Sequence, residues 1–428
     1  MIPALLAALQ IAAGDTLQQV TLAQALQEAT RFDPNYVAAV GRVSEAEWGR
    51  RAAMLVFILP SVTATADFTG TSTESFNFGT NELSKTIVTA QLNASYELFT
   101  GGRKVAELAR ARAELEASRA NEVDATFLAA AETEAAYYEV LARRALAGVA
   151  HRRLERAEEQ LSITRARVLS GAAVQSDSLR VVLELTTAQV DVLRQESALR
   201  VARLQLGRRI GRAGPVDAAQ VDTTRARLTP DLPLTVEEAV AIALEQGPQY
   251  RVARATERAA SAEVRARRAE YLPWATVSAF TAAYDNKFWP EAATRSGVNL
   301  RISLPIWNDG QREIALTRAQ VTRDFARAVR EDLERAALHD VLLSYDTYVT
   351  ARAAADLART AVVVAQENYR VQQTRYRSGA TDILLFLDSQ FILVEAEAGL
   401  VQALHTTQLA RSGLEVILGR RLFPEETP

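Results

Sequence analysis

The side chains best suited to acid–base or metal chemistry are few and scattered. The histidines are His151, His339 and His405, and none belongs to a His-Glu-x-x-His pattern that would set two ligands on one helix face. The chain has no Cys, which excludes thiol nucleophiles, thiolate metal sites and disulfides. Gly207-Arg-Arg-Ile-Gly211 ends a helical pattern and lacks the Lys-Ser/Thr pair of a phosphate-binding loop. Acidic pairs such as Glu158-Glu159 fall on a charged helix face. No catalytic constellation emerges. The expectation is a protein that is not an enzyme and carries no cofactor and no metal. A formal net charge of −3 offers no basic surface for nucleic acid.

Duplication organises the chain. Val20-Thr-Leu-Ala-Gln-Ala-Leu matches Leu234-Thr-Val-Glu-Glu-Ala-Val, and Pro34-Asn-Tyr36 matches Pro248-Gln-Tyr250. Ile58-Leu-Pro60 matches Tyr271-Leu-Pro273, and Leu98-Phe-Thr-Gly-Gly-Arg103 matches Ile306-Trp-Asn-Asp-Gly-Gln311. Ser170-Gly-Ala172 matches Ser378-Gly-Ala380, and Leu206-Gly-Arg-Arg-Ile210 matches Leu418-Gly-Arg-Arg-Leu422. One such match is easily accidental; the same order in both halves is not. The boundaries follow: a first repeat over 20–212, a linker over 213–233 and a second repeat over 234–423. Met1–Gly14, an apolar run ending in small residues, is expected to be a secretory signal.

Each repeat opens with a helix, over 21–57 and 235–271, with Thr21 and Thr235 at the N-cap. A hairpin of two strands follows. The turns holding Gly101 and Gly102, and Asp309 and Gly310, then lead into very long helices over 103–170 and 311–378. Gly171 and Gly379 mark the tips, where a returning helix begins. The long helices carry apolar seams at 4,3 spacing: Ala150, Leu154, Ala157, Leu161, Thr164, Val168, and Ala358, Val362, Ala365, Tyr369, Gln372, Tyr376. Charged residues flank both seams, so much of each helix must face water. A helical tube wet on both sides meets that demand; a solid globule does not.

Strands are expected over 60–68, 87–98, 275–284 and 297–307. Val88-Thr-Ala-Gln-Leu-Asn-Ala-Ser-Tyr-Glu-Leu98 alternates apolar and polar residues throughout, and Val298–Ile306 repeats the alternation. About ten alternating residues suit a tilted membrane strand, apolar to lipid and polar to a lumen. The intervening segments 69–85 and 285–295 are read as long polar outer loops. Four strands cannot close a barrel, because the smallest bacterial barrels need about eight. The chain must therefore self-associate. A periplasmic coiled-coil scaffold or adaptor with a soluble sheet is the competing expectation.

These paired landmarks, together with Asp388-Ser-Gln390, make the chain resemble the TolC-family outer-membrane efflux proteins along nearly its whole length. The resemblance implies a mainly α fold with a membrane β-barrel. A homotrimer would form twelve strands continued by a periplasmic α-helical barrel. It implies an outer-membrane channel-tunnel of a tripartite efflux or type I secretion system, embedded in outer-membrane lipid. Its partners would be a periplasmic adaptor (membrane fusion protein), met by the tips at Gly171 and Gly379, and an inner-membrane pump of RND, ABC or MFS type. It also implies a gate at the tips, in which a carboxylate after the first tip Gly pairs with groups around the second. Those positions fall on Asp177 and Tyr376. Where the best-known member has an Arg, this chain has Thr381; where that member has two aperture carboxylates, it has Leu385 and Asp388. The expectation is fewer locking contacts and one ring carboxylate per subunit, with Asp382 a candidate second. Asp177 reads equally well as a first-turn acid stabilising a helix N-terminus.

Overall fold

The computed structural model describes residues 17–77, 79–219, 232, 234–286 and 293–422. The expected signal segment and most of the linker lie outside the described residues. The first repeat forms β1 (Gln19–Val20), α1 (Leu22–Phe32), α2 (Pro34–Leu55), β2 (Ser61–Asn77), β3 (Glu82–Phe99), α3 (Arg103–Leu169) and α4 (Gln175–Arg209). β4 (Asp217–Ala218) follows. The second repeat forms α5 (Val236–Gln246), α6 (Pro248–Ala269), β5 (Trp274–Asp285), β6 (Ala293–Ser303), α7 (Gln311–Arg377) and α8 (Ile383–Leu418). Two compact units result. One holds the described residues up to Ala39, Glu122–Pro248 and Ala336 onward; the other holds Val40–Asn121 and Gln249–Arg335.

Both repeats open on a capping box. The Thr21 hydroxyl accepts the Gln24 N–H at 3.3 Å while Gln24 Oε1 accepts the Thr21 N–H at 3.1 Å. Thr235 and Glu238 do the same at 3.2 and 2.9 Å. The single opening helices expected over 21–57 and 235–271 are each broken in two, at Asp33-Pro34 and Gly247-Pro248. Pro fits the first turn of a new helix, where its missing N–H costs nothing, better than a helix interior. Asp33 serves the break twice: its N–H donates to Ala29 O, and its carboxylate accepts the Asn35 and Tyr36 N–H groups at 2.8 and 2.9 Å. α3 and α7 are continuous over 67 residues each. Their seam positions are buried or half-buried throughout.

In the first unit, the two Leu-Gly-Arg-Arg motifs converge on α3. Arg209 pairs with Asp33 at 2.8 Å and with Glu132 at 2.6 Å. Its repeat equivalent, Arg421, pairs with Glu134 and, at 2.7 Å, with Glu415. Glu134 and Glu415 are buried, and Ser412 also donates to Glu134. The linker expected over 213–233 is not loose at its start. Val216, Asp217 and Ala218 are buried, and β4 pairs in parallel with β1. Arg144 and Arg203 both hold the Asp217 carboxylate, which ties this strand to α3 and α4.

In the second unit the strands pair antiparallel in the order β2-β3-β5-β6. The expected loop 69–85 is instead mostly strand, since β2 runs on to Asn77 and β3 starts at Glu82. Its Thr and Ser residues favour extended backbone but carry no alternation to reveal it. β6 begins at Ala293, earlier than expected, and stops at Ser303 rather than 307. Pro305 has no N–H to offer a ladder beyond that point.

Truncating Arg421 to Ala would leave two buried carboxylates without their shared cation. Breaking such a pair costs about 3–5 kcal/mol. Thermal or urea unfolding of the detergent-solubilised protein should show that loss for Arg421→Ala. Arg208→Ala, at an exposed neighbour in the first motif, should change stability by about 0.5 kcal/mol or less.

Candidate channel wall and gate

The two faces of the sheet differ in chemistry across all four strands. Val62, Ala94, Ala279 and Val298 stand in one cross-strand row. Tyr96, Val277 and Leu300 form the next on the same face. The opposite face carries the row Ser61, Ser95, Ser278 and Asn299, and the row Glu97, Thr276 and Arg301. On the apolar face Val298 is 76% exposed and Ile302 71%. Such a band would be costly in water and is what hydrocarbon requires. Leu304, Ile306 and Trp307 extend it past the strand end. Among the described residues no helix is long and apolar enough to cross a membrane.

The turns from sheet to long helix are built alike in both repeats. Gly101 and Gly102 have φ of 60° and 91°; Asp309 and Gly310 have 57° and 73°. A buried cation follows each turn. Lys104 Nζ donates to Val56 O at 3.0 Å and Glu97 O at 2.7 Å, and lies 4.5 Å from the Tyr96 ring centroid. Its equivalent, Arg312, donates to Pro305 O at 2.7 Å and Ile306 O at 3.1 Å, over the Tyr271 ring. Lys104 thus joins the turn after α2 to β3, and Arg312 gathers two carbonyls just past the end of β6. On the polar side of the first turn lies a recess of 530 Å³ lined by Ser61, Asn93, Ser95, Glu97, Lys104 and Arg301 among others.

The tips are also built alike at the backbone. Gly171 and Gly379 have φ of 78° and 79°, which strains any residue with a Cβ. Ala172 N–H donates to Arg167 O, and Ala380 N–H to Arg375 O, both at 2.8 Å. With the 3.1 Å bonds from the Gly171 and Gly379 N–H groups to Val168 O and Tyr376 O, three residues back, these form Schellman motifs. The side chains then diverge. Tyr376 is buried with Leu161, Val181, Ile383 and Phe386. Its ring stacks on Phe386 at 5.4 Å, and the Arg167 guanidinium lies 4.4 Å from its centroid. Its hydroxyl meets Thr164 Oγ1 at 3.2 Å, and Gln160 Nε2 donates to the same Thr164 oxygen at 3.2 Å. Burial raises the pKa of nearby Tyr369, with Arg156 opposing it.

The remaining gate positions lie on α4, α8 and the turn before α8. Asp177 is a first-turn acid of α4, whose N-cap Val174 gives no side-chain cap. Among the described residues its carboxylate has no hydrogen bond or ion pair, so no bond joins it to Tyr376 within the chain. Thr381 Oγ1 is buried without a partner among the described residues. Leu385 and Asp388 are exposed. Asp382 is occupied as the N-cap of α8, accepting the Leu385 N–H at 2.9 Å. Arg167, Phe386 and the Thr164 hydroxyl were not singled out as tip residues from sequence. The signal lay in Thr164, a hydroxyl inside an otherwise apolar seam.

Comparison with known proteins agrees with this architecture. The family model for outer membrane efflux proteins matches residues 25–212 and 239–420. The pyoverdine export outer membrane protein OpmQ of Pseudomonas aeruginosa is 27% identical over 92% of this chain and 84% of its own. OpmQ of Pseudomonas putida is 25% identical over 88% and 81%. Among solved structures, the outer membrane protein VceC of Vibrio cholerae superposes with a TM-score of 0.77 at 20% identity, over 94% of this chain and 97% of its own. CusC superposes at 0.79 and 18% identity, over 96% of each. The sheet is thus a barrel segment and not the soluble sheet of a scaffold; the chain belongs to the outer membrane efflux protein family and is an outer-membrane channel of an efflux system.

Proposed function

We propose that three copies assemble into a passive exit duct, gated at the tips and fed by an inner-membrane pump through a periplasmic adaptor. The observation that carries this is the open four-stranded sheet with one apolar and one polar face. Its β2 and β6 edges lack partners among the described residues, and unpaired backbone in lipid costs several kcal/mol per group. Two copies would give eight strands, whose interior is about filled by side chains. Three give twelve and leave a lumen. The helices also carry unpaired seams. On α4, Leu179, Leu183, Thr186, Val190 and Leu193 follow a 4,3,4,3 spacing and are exposed, Leu183 at 68%. On α7, Leu338, Leu342 and Val349 are exposed along one stripe, Leu338 at 57%, beside the half-buried Tyr345, which donates to Leu234 O at 3.3 Å. Such seams fit against a neighbouring copy.

At the tips Asp177 is free to bond across a subunit boundary, whereas Tyr376 is spent on its own chain. Tyr376 is therefore an anchor that holds α7 against α3, and Asp177 is the locking group. Thr381 and Leu385 contribute no charge, which leaves Asp388 as the aperture carboxylate. Three like charges around an axis favour cations in the pore. The tips at Gly171 and Gly379 are the surface offered to the adaptor.

Planar-bilayer recordings test the arrangement. Asp177→Ala should raise conductance or open probability several-fold over the parent channel. Tyr376→Phe removes one hydrogen bond, worth about 1 kcal/mol of stability, and should leave conductance near the parent value. Equal opening by both variants, or by neither, contradicts the assignment. In a salt gradient, Asp388→Asn should shift the reversal potential towards lower cation preference; an unchanged potential removes Asp388 from the aperture.

A further inference from the structure

The far end of the first hairpin does not stand away from the sheet. β3 extends six residues beyond the pairing of Val88 with Asp285, since it begins at Glu82. Straight, that overhang would reach about 20 Å past the end of β5. Instead the tip comes back. A Cβ on Gly79 would lie 2.1 Å from Cγ of Tyr284, so the Gly79 backbone rests on the base of that side chain. Tyr284 pairs with Thr89 and shares a face with Ser278 and Thr276, the polar face. Ala282, on the same face, is only 2% exposed.

The fold-back has a visible hinge and a visible pin. At the hinge, Gly70 pairs with Thr86 and Ser75 with Ser84, so β2 inserts Thr71–Glu74 opposite a single residue of β3. Such a bulge bends the strand sharply, and Thr71 Oγ1 donates to Thr73 O at 2.6 Å across the bend. At the pin, the buried Asn77 carboxamide donates to Asn286 Oδ1 at 2.8 Å and accepts the Gly79 N–H at 2.9 Å. Asn286 donates in turn to Glu82 Oε2 at 2.7 Å, and Thr80 Oγ1 donates to Asn286 Oδ1 at 3.1 Å. The pin itself consists of these few polar contacts at the hairpin tip. They hold one conformation and release it at modest cost.

We infer that residues 71–77 and 79–85 form an inward-folded lid on the outer mouth of the pore, pinned closed through Asn77 and Asn286 and hinged at the β2 bulge. The inference rests on the polar face being the lumen wall. Cargo leaving the duct must displace this lid, one per subunit, after it has passed the tips. Control at the outer end is thus separate from the Asp177 lock.

Because the chain has no Cys, external labelling can read the lid without involving the tips. Ser278→Cys places a thiol on the lumen face, and Ile302→Cys places one on the lipid face. Whole cells are treated with a small impermeant maleimide and with bulky polyethylene-glycol maleimides. The small reagent should label Ser278→Cys readily and the bulky ones slowly. Adding Asn77→Ala, which removes the pin, or Gly79→Ala, which wedges the tip off Tyr284, should speed bulky labelling about tenfold. Asn77 is the last residue of β2 and Gly79 lies in the turn after it, away from the rows that hold Ser278 and Ile302, and unboiled gel migration checks assembly. Bulky labelling that is equally fast in the parent and both variants overturns the lid while leaving the pore intact. Labelling of Ile302→Cys but never of Ser278→Cys, even by the small reagent, overturns the face assignment and the lid with it.

Discussion

Backbone hydrogen bonding at the edges of the sheet governs the assembly. In hydrocarbon there is no water to satisfy an exposed N–H or C=O, so a sheet in a membrane must close on itself. Among the described residues this sheet has four strands, with β2 and β6 at its edges. No rearrangement of four strands closes a barrel, so the edges must be satisfied by other copies. The apolar face across all four strands is the second half of the same constraint, because lipid requires it on one side only. Duplication follows from this economy: one hairpin per repeat and two repeats per chain divide a large barrel among few subunits.

Where the constraint is geometric, the two repeats remain alike. The capping boxes of Thr21 and Thr235, the cations Lys104 and Arg312 and the Schellman turns at Gly171 and Gly379 recur in kind. Arg209 and Arg421 both anchor to α3, at Glu132 and Glu134. Where the surroundings differ, the repeats part. Tyr376 has Val168 as its counterpart, Asp177 has Leu385 and Asp388 has Arg180. The wall positions repeat and the proposed gate positions do not.

Much of this was legible in the sequence, and the failures share a cause. Alternation revealed β3 because hydrocarbon on one side and water on the other force it. The stretch from Thr69 to Lys85 gave no such signal. A hairpin end that folds back has polar surroundings on both faces, so its Thr and Ser residues read as loop. Pro34 and Pro248 fall inside the helices that the pattern predicts, although each opens a new one. The tip pattern pointed to Asp177 and to Tyr376 among the groups around the second tip, and position along the chain does not show that the Tyr376 hydroxyl meets Thr164. Pairings between distant helices depend on register and rotamer, and neither is written in local spacing.

The central claim is that the sheet closes only between copies and that three of them close it. Native mass spectrometry of the assembly extracted from membranes in mild detergent counts the chains directly. Three chains per conducting particle is the expected result. A conducting particle of one or two chains would contradict the account.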